Sequence, residues 1–167
     1  YLFFVFVGYS ELVPTQEDML RPRQEERAVR WDGLARRGAT GRRTARPNLF
    51  YPVFCNVETG RYHSVGDPIA LGVSRKSVKA PDGTFAIWPI AQNGSEVTWG
   101  ISHEKFKSYI ERGYIKFGAF SQGASWRAIY FIQKGTIEAV ENGDIEVNGK
   151  DQDGTLILGT LNKPVRP

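Results

Sequence analysis

One cysteine, one methionine and two histidines are all that 167 residues hold of the side chains that most readily bind transition metals. The lone Cys55 excludes an internal disulfide, and nothing else in the chain speaks for secretion. His63 and His103 stand far apart, each without Cys or carboxylates at ligand spacing, which argues against a zinc site. Asp151 and Asp153 precede Gly154 but lack the further oxygens and terminal Glu of an EF-hand loop. There is no Gly-rich phosphate loop and no Gly-x-Gly-x-x-Gly fingerprint. No Ser–His–Asp arrangement can be argued from spacing. Long apolar runs are missing too: the longest, Tyr1–Val7, is far too short to cross a bilayer as a helix. It has no basic region before it and no small-residue cleavage site after it, so it is not a signal peptide. The expected location is cytoplasmic, and Asn93-Gly94-Ser95, which matches a glycosylation acceptor, reads as a plain turn.

What is present suits a folded chain. Apolar residues make up 41%, charged residues 24% and aromatics 13%, a globular composition sufficient for one domain or a sizeable part of a larger one. The chain opens on Tyr rather than Met, directly in an apolar run, and is expected to be an excerpt of a longer parent.

Charge is unevenly spread. Between Arg21 and Arg46 nine arginines face Glu25, Glu26 and Asp32, a local +6 in a chain of net +4; the remainder therefore carries −2. A cationic stretch supplied entirely by Arg suits a polyanion better than general solubility.

Pattern and punctuation predict an α+β fold: a mostly antiparallel, barrel-like sheet with two short helices. Tyr1–Val7 reads as a buried strand and Gly8–Arg23 as a linker. Gln24–Arg37 is predicted helical, with Ala28, Trp31, Leu34 and Ala35 at helical spacing, although Gly33 weakens it. Ala39–Pro47 should be an extended, exposed loop. Asn48–Asn56 is a predicted strand that Pro52 confines to an edge or a bulge, and the turn at Glu58-Thr59-Gly60 leads into Arg61–Val65 as a hairpin. Gly66–Pro81 is loop-like, and Thr84–Ile90 is a strand that turns at Gln92–Ser95. Ser102 is a good N-cap for a helix over Glu104–Arg112, with Phe106, Tyr109 and Ile110 on one face and Gly113 at its end. Short strands are predicted at Tyr114–Phe120, Trp126–Gln133, Thr136–Val140, Asp144–Val147 and Thr155–Leu158, with turns at Asn142-Gly143 and Asn148-Gly149.

The residues that carry chemistry are basic. Arg36, Arg37, Arg42, Arg43 and Arg46 are interleaved with Gly38, Thr40, Gly41 and Thr44. Guanidinium groups give paired donors to phosphate oxygens, and the Thr hydroxyls and loop amides add neutral ones. Arg also reads guanine edges in a major groove. The bland alternative is that these arginines solvate a surface or pair with carboxylates. An exposed Trp99 or Trp126 could stack on a base, but aromatics on strands ordinarily fill a core. Cys55 is expected to be buried and inert, His103 to lie at the surface, and Lys105 and Lys107 to face solvent.

The run Arg30-Trp31-Asp32-Gly33-Leu34-Ala35-Arg36-Arg37-Gly38, followed by Arg42-Arg43 and by Arg46-Pro47-Asn48-Leu49-Phe50-Tyr51-Pro52, resembles a segment of site-specific adenine DNA methyltransferases. These include the modification subunits of type III restriction–modification systems. The likeness continues through Val65–Pro68, Ile87–Ile90, Asn93–Ser95 before Trp99, Lys116–Gly118 and Trp126–Tyr130. The resemblance implies methyl transfer from S-adenosylmethionine to the N6 amino group of an adenine swung out of the duplex. The family's Asp-Pro-Pro-Tyr motif and its Phe-x-Gly-x-Gly-like cofactor loop are both absent; Asp67-Pro68 is followed by Ile69. This chain is therefore expected to hold no catalytic, cofactor or metal residues and to be inactive alone, with S-adenosylmethionine belonging to the parent.

On this reading residues 1–47 close the catalytic-domain sheet and add an Arg-rich connecting helix and loop, and 48–167 form a β-rich target-recognition region. Its partner is double-stranded DNA, alongside a restriction subunit or a second methyltransferase copy, with no membrane. Two alternatives stand beside it. The segment could pack against a catalytic domain or subunit with little DNA contact, or Asp151 and Asp153 could serve a metal-dependent nuclease.

Overall fold

A computed structural model describes residues 24–164; the expected strand Tyr1–Val7 and linker Gly8–Arg23 lie outside the described residues. Strand β1 (Gln24–Ala28) pairs antiparallel with the long β9 (Leu156–Pro164), which also pairs with β8 (Ile145–Lys150). A second sheet joins β2 (Asp32–Gly33), β7 (Ile129–Phe131) and β6 (Ile115–Phe117), with β7 central. In the third, β3 (Val53–Asn56) lies between β4 (Tyr62–Val65) and β5 (Thr84–Ile87). Two α-helices complete the fold, α1 (His103–Arg112) and α2 (Lys134–Glu141). The fold is α+β with antiparallel pairing throughout. It is divided into three three-stranded sheets rather than closed into a barrel.

Helix α1 follows its sequence closely. The Ser102 hydroxyl accepts from the Lys105 amide at 3.3 Å, and Gly113 ends the helix at φ 81°. A left-handed residue satisfies the last carbonyls without the Cβ clash that another side chain would suffer. Phe106 and Tyr109 are buried on the inner face, and Ile110 packs beside them. Burying a Phe fully is worth roughly 1.5–3 kcal/mol. The core that α1 covers includes Tyr51, Val53, Ile87, Trp99 and Ile129, and Leu34 reaches it from the Arg-rich segment.

Four expectations are corrected. Gln24–Arg37 is not helical: β1 and β2 occupy it, because β9 and β7 offer its backbone ladder partners that a helix would have to forgo. Beyond β2, the Leu34 amide donates to Ile129 O and the Arg36 amide to Thr98 O. Thr136–Val140 is part of α2, not a strand. Ile137 and Val140 alternate as a strand would, yet they also sit three apart, and only Ile137 is buried. Asn142-Gly143 accordingly ends a helix rather than closing a hairpin. Asn148-Gly149 lies inside β8 where the register shifts, with Gly149 at φ 97°. The reversal comes later, at Asp151–Gly154, where the Asp151 carboxylate accepts from the Asp153 and Thr155 amides. Finally, Ala39–Pro47 is not an open loop. It coils through a 3-10 turn at Ala39–Gly41, enters a second at Pro47–Leu49 that replaces the start of the expected strand, and buries Arg43.

Pro52 directly precedes β3, which is a central strand, so the missing amide falls outside the ladder rather than marking an edge. Among the described residues no helix is long and apolar enough to cross a membrane.

Candidate nucleic-acid interface

A single broad groove of about 1900 Å³ gathers residues from 30–38, 42–44, 71–74, the turn after β5 and 126–130. Its floor is apolar: Trp88, Val97 and Trp99 line it and are all buried. Its titratable lining consists of six arginines against Asp32 and Glu96, a formal +4, with no Lys or His. This surface concentrates positive potential where a partner would enter, and an anionic chain would be drawn into it.

The five arginines singled out in the sequence separate here. Arg37 and Arg42 are exposed and line the groove, and among the described residues neither makes an ion pair. Arg36 also lines it but is half-buried; it donates to Gly100 O at 3.3 Å and leaves its buried Nε without a partner. Arg46 is exposed but lies outside the groove lining.

Arg43 departs most from an open basic loop. Only 7% exposed, it donates to Glu96 Oε2 at 2.7 Å, Ala70 O at 2.7 Å and Val73 O at 2.9 Å. Its guanidinium carbon sits 4.2 Å from the Phe50 ring centroid, and Phe50 stacks in turn on Trp88 at 5.0 Å. A charge this buried needs a partner to offset lost hydration, and Glu96 supplies it. Arg43 is thus the post that ties the 66–83 loop to the Arg-rich segment, while Arg37 and Arg42 keep their charge available.

The opposite wall is organised by Arg127. Its guanidinium donates to Gly118 O at 2.5 Å, Gly60 O at 2.9 Å and Asp153 Oδ2 at 2.7 Å. The preceding residue, Trp126, is 60% exposed and lines the groove. Trp99, the other aromatic considered for base stacking, is buried; its indole N–H donates to Tyr51 O at 2.8 Å. Trp99 is core and Trp126 is surface. Sequence reading had no way to separate two tryptophans that both flank strands; burial does so at once. Arg30, also exposed, pairs with Asp32 at 2.7 Å on the groove rim. Asp32 is the cue that separates Arg30 from the unpaired arginines.

The remaining polar groups are occupied. Asp153 is held by Arg127 and Asp151 caps its own turn, which leaves neither carboxylate directed at a shared cation. Among the described residues no group of three or more His, Cys, Asp or Glu is arranged to hold a metal. Burial pushes the Cys55 thiol up to about 12, so it stays protonated at neutral pH and is a poor nucleophile. The Tyr51 phenol is raised by burial and secondarily by Glu104, while its hydroxyl donates to Ile101 O at 2.9 Å. His103 is half-buried, packing its ring edgewise 6.1 Å from Tyr51 with Asp67 and Glu104 beside it. Lys105 and Lys107 are exposed on α1.

The chain matches no family model, no curated protein and no solved structure.

Proposed function

We propose that this chain is the DNA-binding, target-recognition part of a cytoplasmic, S-adenosylmethionine-dependent adenine-N6 DNA methyltransferase of the type III restriction–modification kind. The observation that carries the DNA-binding part is the broad groove whose lining is Arg-rich and whose Arg37 and Arg42 are exposed and unpaired. Guanidinium groups in that setting bind phosphate oxygens bidentately, and the sheets beneath hold the groove walls at fixed separation. The methyltransferase part is supported by the Arg-Pro-Asn-Leu-Phe-Tyr-Pro resemblance, which spans Arg46–Pro52. Asp67-Pro68-Ile69 does not fit the family's catalytic tetrapeptide, so no step of methyl transfer is assigned to this chain; cofactor and chemistry belong to neighbouring polypeptide. A restriction subunit or a second copy of the methyltransferase is the proposed protein partner.

The test is fluorescence anisotropy of labelled duplex DNA with the full chain across a salt series. Affinity should fall with salt at about 0.9 log units per log unit of salt for each phosphate neutralised. A flat salt response, or no binding at low salt, overturns the proposal.

A second reading has its own support: Arg43 and Arg36 spend their donors inside the fold, as a packing module with little DNA contact would. The two readings separate at Arg37 and Arg42. Reversing both charges abolishes DNA affinity on the first reading. On the second it leaves affinity unchanged and impairs assembly with the partner subunit.

A further inference from the structure

Three of the six large apolar side chains that stand exposed, Leu71, Val73 and Trp126, open onto the same Arg-rich groove. Phosphate oxygens give apolar side chains nothing, so a groove made only to follow a sugar–phosphate backbone has no use for them. Base faces are different: every base offers a π surface on which an indole stacks, whatever its identity. In an intact duplex those faces are hidden against their neighbours.

Trp126 is also well placed to act as a platform. Its backbone is anchored by the next residue, Arg127, whose side chain is gripped from three segments at once: Gly118, Gly60 and Asp153. Yet the indole itself is 60% exposed. A fixed backbone presenting a large uncovered ring loses little conformational entropy when a flat ligand covers it. Charge complementarity comes from Arg37 and Arg42 along the same lining.

We infer that the groove takes DNA carrying an unpaired, unstacked base in preference to intact duplex, and that Trp126 stacks on that base. Leu71 and Val73, 51% and 41% exposed, shield the ring and base from water on the other side of the groove. The inference rests on the DNA-binding reading above and adds the form of DNA that the groove selects.

The experiment compares the full chain on two labelled DNAs of one sequence, an intact duplex and the same duplex with a single-nucleotide bulge. Each is titrated with the unaltered chain, Trp126→Ala and Trp126→Phe. The unaltered chain should favour the bulged duplex by about ten-fold, the range expected for stacking one base. Trp126→Ala should abolish that preference and leave affinity for intact duplex nearly unchanged, whereas Trp126→Phe should keep most of it. Because the ring is exposed, all three proteins should share one thermal midpoint. Equal affinity of the unaltered chain for the two DNAs overturns the inference while leaving DNA binding standing. So does a preference that survives Trp126→Ala. Failure to bind either DNA overturns the DNA-binding reading and this inference together.

Discussion

Arg127 and Asp153, separated by 26 residues, form an ion pair at 2.7 Å in which both side chains are less than a tenth exposed. The pair ties the segment before β7 to the reversal between β8 and β9, and the same guanidinium reaches the β3–β4 turn through Gly60. Three hairpin-level units thus meet on one side chain.

Removing either partner strands the other charge away from water. Arg127→Ala and Asp153→Ala should each destabilise the fold by about 3–5 kcal/mol, read from urea unfolding with the slope unchanged. The double substitution should cost less than the sum of the two single ones, because the second no longer breaks a pair. Strict additivity would remove the pair from its proposed role.

The arginines of the groove should divide by burial. Arg43→Ala is expected to cost roughly 3 kcal/mol or more of stability, since it frees the Glu96 carboxylate and uncovers the Phe50 ring. Arg37→Ala and Arg42→Ala, on exposed side chains, should stay within about 0.5 kcal/mol while flattening the salt dependence of DNA binding by roughly one phosphate each. Equal stability losses at all three positions would contradict the division.

Gly113 cannot be replaced quietly. Its φ of 81° already disfavours a side chain, and a Cβ there would lie 2.8 Å from Gly154 O in the β8–β9 reversal. Gly113→Ala should lose at least about 1–2 kcal/mol, with a matching drop in thermal midpoint. Ala at the exposed Gly135, where nothing lies within 4 Å and the residue is inside α2, should be neutral or stabilising.

Alkaline pH should weaken the fold in a defined direction. Burial raises the Tyr51 and Tyr62 phenols above their ordinary value of 10. Unfolded chains release those protons near pH 10 while the folded chain keeps them. The stability they contribute is therefore complete below pH 10 and declines as pH rises beyond it. Urea midpoints should be level up to that pH and then fall, and Tyr62→Phe should soften the decline. Cys55, with its thiol raised to about 12, should resist iodoacetamide at pH 8 until denaturant unfolds the chain.

The sequence was most legible where signals are local. Ser102 and Gly113 bracket α1 because capping depends on hydrogen bonds within a few residues of each end. The Glu58–Gly60 turn between β3 and β4 was readable from turn chemistry alone, and Cys55 is buried as its apolar neighbours required. The Arg-rich composition of the groove rim was likewise visible in the order of residues.

Where the partner lies far along the chain, tertiary structure decided. Gln24–Ala28 became a strand because β9, more than a hundred residues later, supplies its hydrogen bonds, and no local propensity reports such a partner. Arg43 went inside and Arg42, its neighbour, stayed outside because Glu96 and the Ala70 and Val73 carbonyls converge on one site and not on the other. By itself the order of residues determined which side chains are charged, where the caps and tight turns fall and how much apolar surface must be hidden. Only folding in three dimensions decided which of those charges find partners, since desolvation and Coulomb energy depend on distance through space, not along the chain.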